Sequence, residues 1–134
     1  MKWTKEGFTI SDAAEELELS AISALLGDTY WAEGRSQERI QQSIEHSLCF
    51  GLYNEQGRQI GFLRTVTDYT TFTWVCDVVV HPEYRGRGFG KWLMACMLEH
   101  PALTGTNKML GTRDAHGLYE QFGFIRRESM RLLA

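Results

Sequence analysis

The residues best suited to chemistry begin at Val78-Val79-Val80-His81-Pro82 and continue through Arg85-Gly86-Arg87-Gly88-Phe89-Gly90-Lys91. Alternating glycines let backbone N–H groups approach a ligand without a Cβ in the way. A helix opening at this point would present its unpaired N–H groups and the positive end of its dipole. With Arg85, Arg87 and Lys91 beside them, these features make a cradle for an anion, most naturally a phosphate or pyrophosphate. A Walker loop, G-x-x-x-x-G-K-[S/T], fails here: Arg85 stands where the first glycine belongs and Trp92 follows Gly90-Lys91. The dinucleotide pattern G-x-G-x-x-G also fails, because its third glycine falls on Lys91.

The remaining pattern, Arg85-x-x-Gly88-x-Gly90 after an apolar strand, resembles the pyrophosphate motif of the GNAT superfamily of N-acetyltransferases. A downstream segment, Gly117-Leu118-Tyr119-Glu120-Gln121-Phe122-Gly123-Phe124, is similar to the helix-then-strand step of the same superfamily. Tyr30-Trp31-Ala32 and Asp114-Ala115-His116 resemble a group of small bacterial members, so the likeness runs over most of the chain.

The resemblance implies an acyltransferase that moves an acetyl group from acetyl-coenzyme A (acetyl-CoA) to a primary amine of a small molecule, by direct attack in a ternary complex. Main-chain groups at Val78, Val79 and Val80 would meet the pantetheine arm and the acetyl oxygen, and preorganised donors of that kind often dominate catalysis. Arg85, Gly86, Arg87, Gly88, Phe89, Gly90 and Lys91 would hold the pyrophosphate, although the Phe89 ring itself reads as helix core. Tyr119 would be the general acid for the departing thiolate. A phenol near pKa 10 donating to a thiolate near 8.5 runs uphill by about 1.5 units, roughly 2 kcal/mol, so only a modest effect is expected. Many relatives carry Asn seven residues before this tyrosine; Thr112 stands there instead.

The base is less defined. A lysine-like amine near pKa 10.4 costs about 4.6 kcal/mol to deprotonate at neutral pH. Asp77 is an acid in an apolar strand, a candidate base or substrate anchor, or a structural hydrogen-bonding group. Regular alternation would turn it away from the face that carries Cys76, and a bulge could re-aim it. Glu33 is a weaker candidate. Tyr30 and Trp31 could shape an acceptor pocket or cap the core, and Arg64, which interrupts an apolar strand, could meet an acidic acceptor group. Asp114 and His116 read as organisers of a helix start.

A chain of 134 residues reads as one domain spanning 1–134. Its 43% hydrophobic and 23% charged residues suit an ordinary globular protein. A net charge of −3 argues against a nucleic-acid binder. No apolar run is long enough for a membrane span, and no signal-peptide pattern opens the chain, so a cytoplasmic protein is expected. Cys49, Cys76 and Cys96 read as reduced core residues, with Cys76 as a nucleophile the alternative. The four histidines show no metal-ligand spacing with them, and no metal is expected. Alternative readings are acetylation of a protein or peptide amine, a non-catalytic CoA-binding regulator, and a nucleotide-phosphate binder.

The elements that must position these groups follow from periodicity. A first strand is expected at Phe8–Ile10, a helix capped by Ser20 and ended by Gly27, and a second helix capped by Ser36 with Ile40, Ile44 and Leu48 on one face. Strands are expected at Leu48–Tyr53, Gln59–Thr67 and Thr71–Val80. The helix from Phe89 carries an apolar stripe through Trp92, Leu93, Cys96 and Met97. A strand at Lys108–Thr112, a helix capped by Asp114 and a last strand from Phe124 complete the order β-α-α-β-β-β-α-β-α-β. The resemblance implies a mixed α/β (α+β) GNAT fold: a mostly antiparallel, twisted sheet of about six strands flanked by about four helices, with a splayed strand pair holding acetyl-CoA. An edge strand or the segment Arg126–Ala134 could pair two chains as a homodimer.

Overall fold

Glu6 and Gly7 both adopt positive φ (51° and 87°), the geometry of a tight hairpin turn, and they join two short strands at the start of the chain. The computed structural model describes residues 1–134. These strands are β1 (Lys2–Lys5) and β2 (Phe8–Ser11), followed by α1 (Leu19–Gly27) and α2 (Gln37–Glu45). Three long strands come next: β3 (Leu48–Tyr53), β4 (Gln59–Thr67) and β5 (Phe72–Val80). Then come α3 (Phe89–Glu99), β6 (Asn107–Met109) and α4 (His116–Glu120). The strands form one six-stranded sheet in the order β1-β2-β3-β4-β5-β6, antiparallel except for the parallel β5–β6 pair.

The sheet is covered on both faces, and the two cores identify the sides. Phe8, Phe50, Ile60, Leu63 and Val75 pack with Leu93, Met94 and Met97 of α3. Cys49, Phe62 and Val79 pack with Ile22, Leu26, Ile40 and Ile44 of α1 and α2. Val75 and Val79 lie four residues apart on β5 yet belong to opposite faces, which a strand of period two does not allow. A bulge resolves this. Phe62 pairs with Val79 and Arg64 with Cys76, so Leu63 alone opposes Asp77 and Val78. Asp77 absorbs the extra residue at φ 53°, a left-handed conformation that aspartate tolerates better than most side chains.

β6 pairs only with Phe72, Thr73 and Trp74 of β5. From Val75 onward β5 runs on to Val80 beyond the end of that ladder, and this is the expected splay. Several local expectations change. The edge strand β1 was not anticipated, and residues after Phe124 form no strand, so the count of six is reached differently. α1 starts at Leu19, ahead of Ser20, and its cap residue Glu18 has no side-chain capping bond. Ser36 does cap α2, accepting from the Arg39 N–H. Asp114 does not cap α4: the N-cap is Ala115, with no side-chain capping bond, and Thr112 Oγ1 accepts from the Ala115 N–H at 3.0 Å just ahead of the helix. No helix is long and apolar enough to cross a membrane.

Candidate active site

The site is built where β5 leaves β6. Pro82 ends the strand, lacking a donor to extend it. After one short 3-10 turn at Pro82–Tyr84 the chain reaches the glycine loop. Gly86 and Gly88 hold φ of 78° and 83°, where a Cβ would be strained, and Gly88 is the N-cap of α3. A Cβ built on Gly86, Gly88 or Gly90 would meet nothing within 4 Å, so the loop is open to an approaching ligand. The exposed N-terminal N–H groups of an eleven-residue helix point into that space. The glycine loop expected from the sequence thus opens α3 with two positive-φ glycines and free space around it.

Its arginines are deployed differently from each other. Arg85 Nε donates to the Val80 carbonyl at 3.0 Å, tying the loop to the end of β5. The Arg87 guanidinium instead stacks on an aromatic cluster, 5.2 Å from the Phe8 and Phe89 ring centroids and 5.6 Å from Tyr84. Phe89 packs into the α3 core, as its place in the helical stripe implies. Lys91 is exposed in the first turn of α3.

On the other face of the sheet the bulge sets Asp77 beside Cys76 on the α1–α2 side, where regular alternation would have separated them. Asp77 is only 4% exposed. Its Oδ2 accepts from Arg64 Nε and from Arg35 Nη1, each at 2.8 Å, and its Oδ1 accepts from Trp31 Nε1 at 3.1 Å. Arg64 also donates to Ser47 Oγ at 3.2 Å. The acidic group Arg64 meets is thus Asp77 of its own chain. A buried carboxylate already holding three donors, two of them cationic, is committed to organising the side chains around it. Arg35 was not singled out from the sequence; between Gly34 and the Ser36 cap it reads as an ordinary loop cation.

Tyr30 joins the two halves of the site. Its ring packs edge-on against Trp31, with centroids 5.0 Å apart, and the Arg113 guanidinium lies 3.7 Å from its centroid. The Arg113 N–H donates to the Tyr30 hydroxyl at 3.3 Å. Tyr119, on α4, is half-buried against Phe124 and the α3-side core. Burial first, then the nearby Tyr30 and Asp114, push its phenol above the ordinary tyrosine value. Cys76 has its thiol pushed up to about 11, chiefly by burial, so it is protonated at neutral pH and unsuited to nucleophilic attack. Burial raises Cys49 and Cys96 to about 12 as well. No group of three or more His, Cys, Asp or Glu side chains is arranged to hold a metal ion.

The sequence model of the acetyltransferase (GNAT) family matches residues 16–124, which takes in the bulged strand, the glycine loop and Tyr119. The chain belongs to the GNAT family. A GNAT-family protein from Xanthomonas campestris pv. campestris is 39% identical, with 94% of this chain and 93% of that one covered and a TM-score of 0.88. The Gibberella zeae acetyltransferase FG08082 is 28% identical over 116 residues, covering 72% of this chain and 66% of its own. The Gracilaria tenuistipitata N-acetyltransferase ycf52 is 28% identical over 113 residues, 80% of this chain and 62% of its own. This GNAT chain therefore spans two thirds or less of the length of those two curated relatives.

Proposed function

We propose that this GNAT chain transfers an acetyl group from acetyl-CoA to a primary amine of a small molecule, by direct attack of the amine while both substrates are bound. The observation that carries the reading is the open glycine cradle at the start of α3, directly after the stretch of β5 that has parted from β6. Acetyl-CoA supplies an activated thioester; this chain's residues must hold it and polarise it. The main chain of Val78, Val79 and Val80, beyond the ladder to β6, suits pairing with an extended pantetheine arm as a further strand would. The N–H groups of Gly86, Gly88 and Gly90, with Arg85 and Lys91, are suited to the pyrophosphate. Arg87 contributes by bracing the loop against Phe8, Tyr84 and Phe89.

Tyr119 keeps its proton throughout the physiological range, because its environment raises its pKa. It therefore serves best as a hydrogen-bond donor to the leaving sulfur, with full proton transfer uphill. Thr112 Oγ1 accepts from the Ala115 N–H but retains its hydroxyl proton for the same region. Tyr30 and Trp31 wall the acceptor side. Asp77 acts through Arg35, Arg64 and Trp31, holding that wall in place, and the amine gives its proton to solvent. The direct test is thiol release from acetyl-CoA against a panel of small amines and lysine peptides. Acceptor-dependent release with small amines supports the reading. Release with peptides alone would move the acceptor to protein, and acetyl-CoA binding without release from any amine would favour a regulatory module.

A further inference from the structure

A cavity of about 460 Å³ opens between α2, the residues flanking it, and β4. Its charged lining is of one sign, Arg35, Arg39 and Arg64, with His46, Gln42, Ser43 and Ser47 among them and no carboxylate. The chain as a whole carries −3, so this concentration is local. α2 segregates its faces to produce it. Ile40 and Ile44 face the core. Gln41 and Glu45 hydrogen-bond to each other at 3.2 Å and line a separate hollow. Arg39, Ser43 and His46 share the remaining side at helical spacing.

The charges do not cancel within the fold. Asp77 is the sole acid paired with Arg35 and Arg64, so two guanidiniums share one carboxylate. Arg39 forms no ion pair and is exposed. The two serine hydroxyls donate to backbone carbonyls, Ser43 to Ile40 and Ser47 to Ser43, and supply no spare proton. What the cavity offers is an excess of guanidinium donors, the geometry that takes carboxylate or phosphate oxygens in pairs. Arg35 and Arg64 both grip Asp77, the residue next to Val78 at the bulge. Through Asp77 the pocket is tied to the bulged stretch of β5 that precedes the glycine loop.

We propose that Arg35, Arg39, Arg64 and His46 form an oxyanion pocket that selects an acceptor amine carrying a carboxylate or phosphate group. The inference rests on the transferase reading for the word acceptor, but the pocket itself can be tested without it. Labelled protein is titrated with inorganic phosphate and, separately, with glutarate, and backbone NMR shifts are followed. Shifts at Ser43, His46 and Ser47 that vanish in Arg39→Gln support the pocket, and the stronger probe tells phosphate from carboxylate. Shifts confined to Gly86–Gly90, or α2 shifts unchanged by Arg39→Gln, overturn it.

The kinetic arm compares matched acceptors, an amino acid with its carboxamide and an amino sugar phosphate with the free amino sugar. Arg39→Gln should raise KM for the anionic member of the preferred pair about 10- to 100-fold, the weight of a charge-assisted contact. KM for the neutral member and the affinity for acetyl-CoA should hold. Equal effects on both members, or preference for the neutral ones, overturn the inference while leaving the transferase standing. Failure to bind acetyl-CoA would instead sink the transferase, and the phosphate titration would still decide the pocket.

Discussion

Replacing Asp77 separates two roles that a buried carboxylate beside an active strand can play. As an organiser, it holds the guanidiniums of Arg35 and Arg64, whose side chains are 22% and 15% exposed, and Trp31. Removing one member of a buried ion pair costs about 3–5 kcal/mol. Because both arginines keep some contact with water, the lower figure applies, about 3 kcal/mol. Alanine adds strain at φ 53°, about 1 kcal/mol. Asp77→Ala should then lose about 4 kcal/mol and lower Tm by roughly 12–20 °C for a chain of this size. Asp77→Asn tolerates the backbone and keeps one acceptor, so about 2 kcal/mol and roughly 6–10 °C are expected. Calorimetric scans give Tm, and thiol-release kinetics well below it give kcat and KM. On the organiser account Asp77→Asn raises acceptor KM and lowers kcat less than about tenfold. A Tm within about 2 °C of wild type, together with a kcat loss above about 100-fold, the range of a general base, would refute the reasoning.

Two further substitutions test neighbouring parts of the site. Tyr119→Phe should lower kcat about 10- to 100-fold, at the weak end of general-acid effects, and a loss below about threefold would remove the hydroxyl from the mechanism. Since its folded pKa is raised, Tyr119 is protonated below the ordinary phenol value and deprotonates only above it, so the pH–rate profile should show no fall from this group below about pH 10. Cys76, with its thiol near 11, should resist alkylation at pH 8 in the native protein, and Cys76→Ser should retain activity within about threefold. Rapid labelling with parallel inactivation would contradict this.

Much of the scaffold was legible because its strands are apolar and bounded by turn residues. Leu48–Tyr53 and Gln59–Thr67 form as expected, joined at Asn54, whose Oδ1 accepts from the Gln56 and Arg58 N–H groups. The glycine loop was legible because positive φ demands glycine at Gly86 and Gly88. β1 was hidden for the opposite reason. Lys2–Lys5 is an exposed edge strand whose polar residues carry no alternating pattern. The bulge at Asp77 left no glycine to mark it, since aspartate itself accepts the left-handed backbone. That single conformation decides which face Asp77 serves, and no local pattern encodes it. Arg35, Arg39 and His46 were invisible as a group because polar residues at helical spacing read as a solvated face until the sheet is set beneath them.

The most direct test of the account is isothermal titration of acetyl-CoA into the wild-type protein and into Gly90→Glu. Gly90 sits in the first turn of α3 with open space around it, so glutamate there improves helix propensity and suits the dipole. The variant should fold with Tm unchanged or raised, yet put a carboxylate and a side chain into the pyrophosphate cradle. The account predicts micromolar binding by the wild type, about −8 kcal/mol, and a loss of at least about 100-fold in the variant. No binding by the wild type, or equal binding by both, would contradict the assignment of the glycine loop to acetyl-CoA.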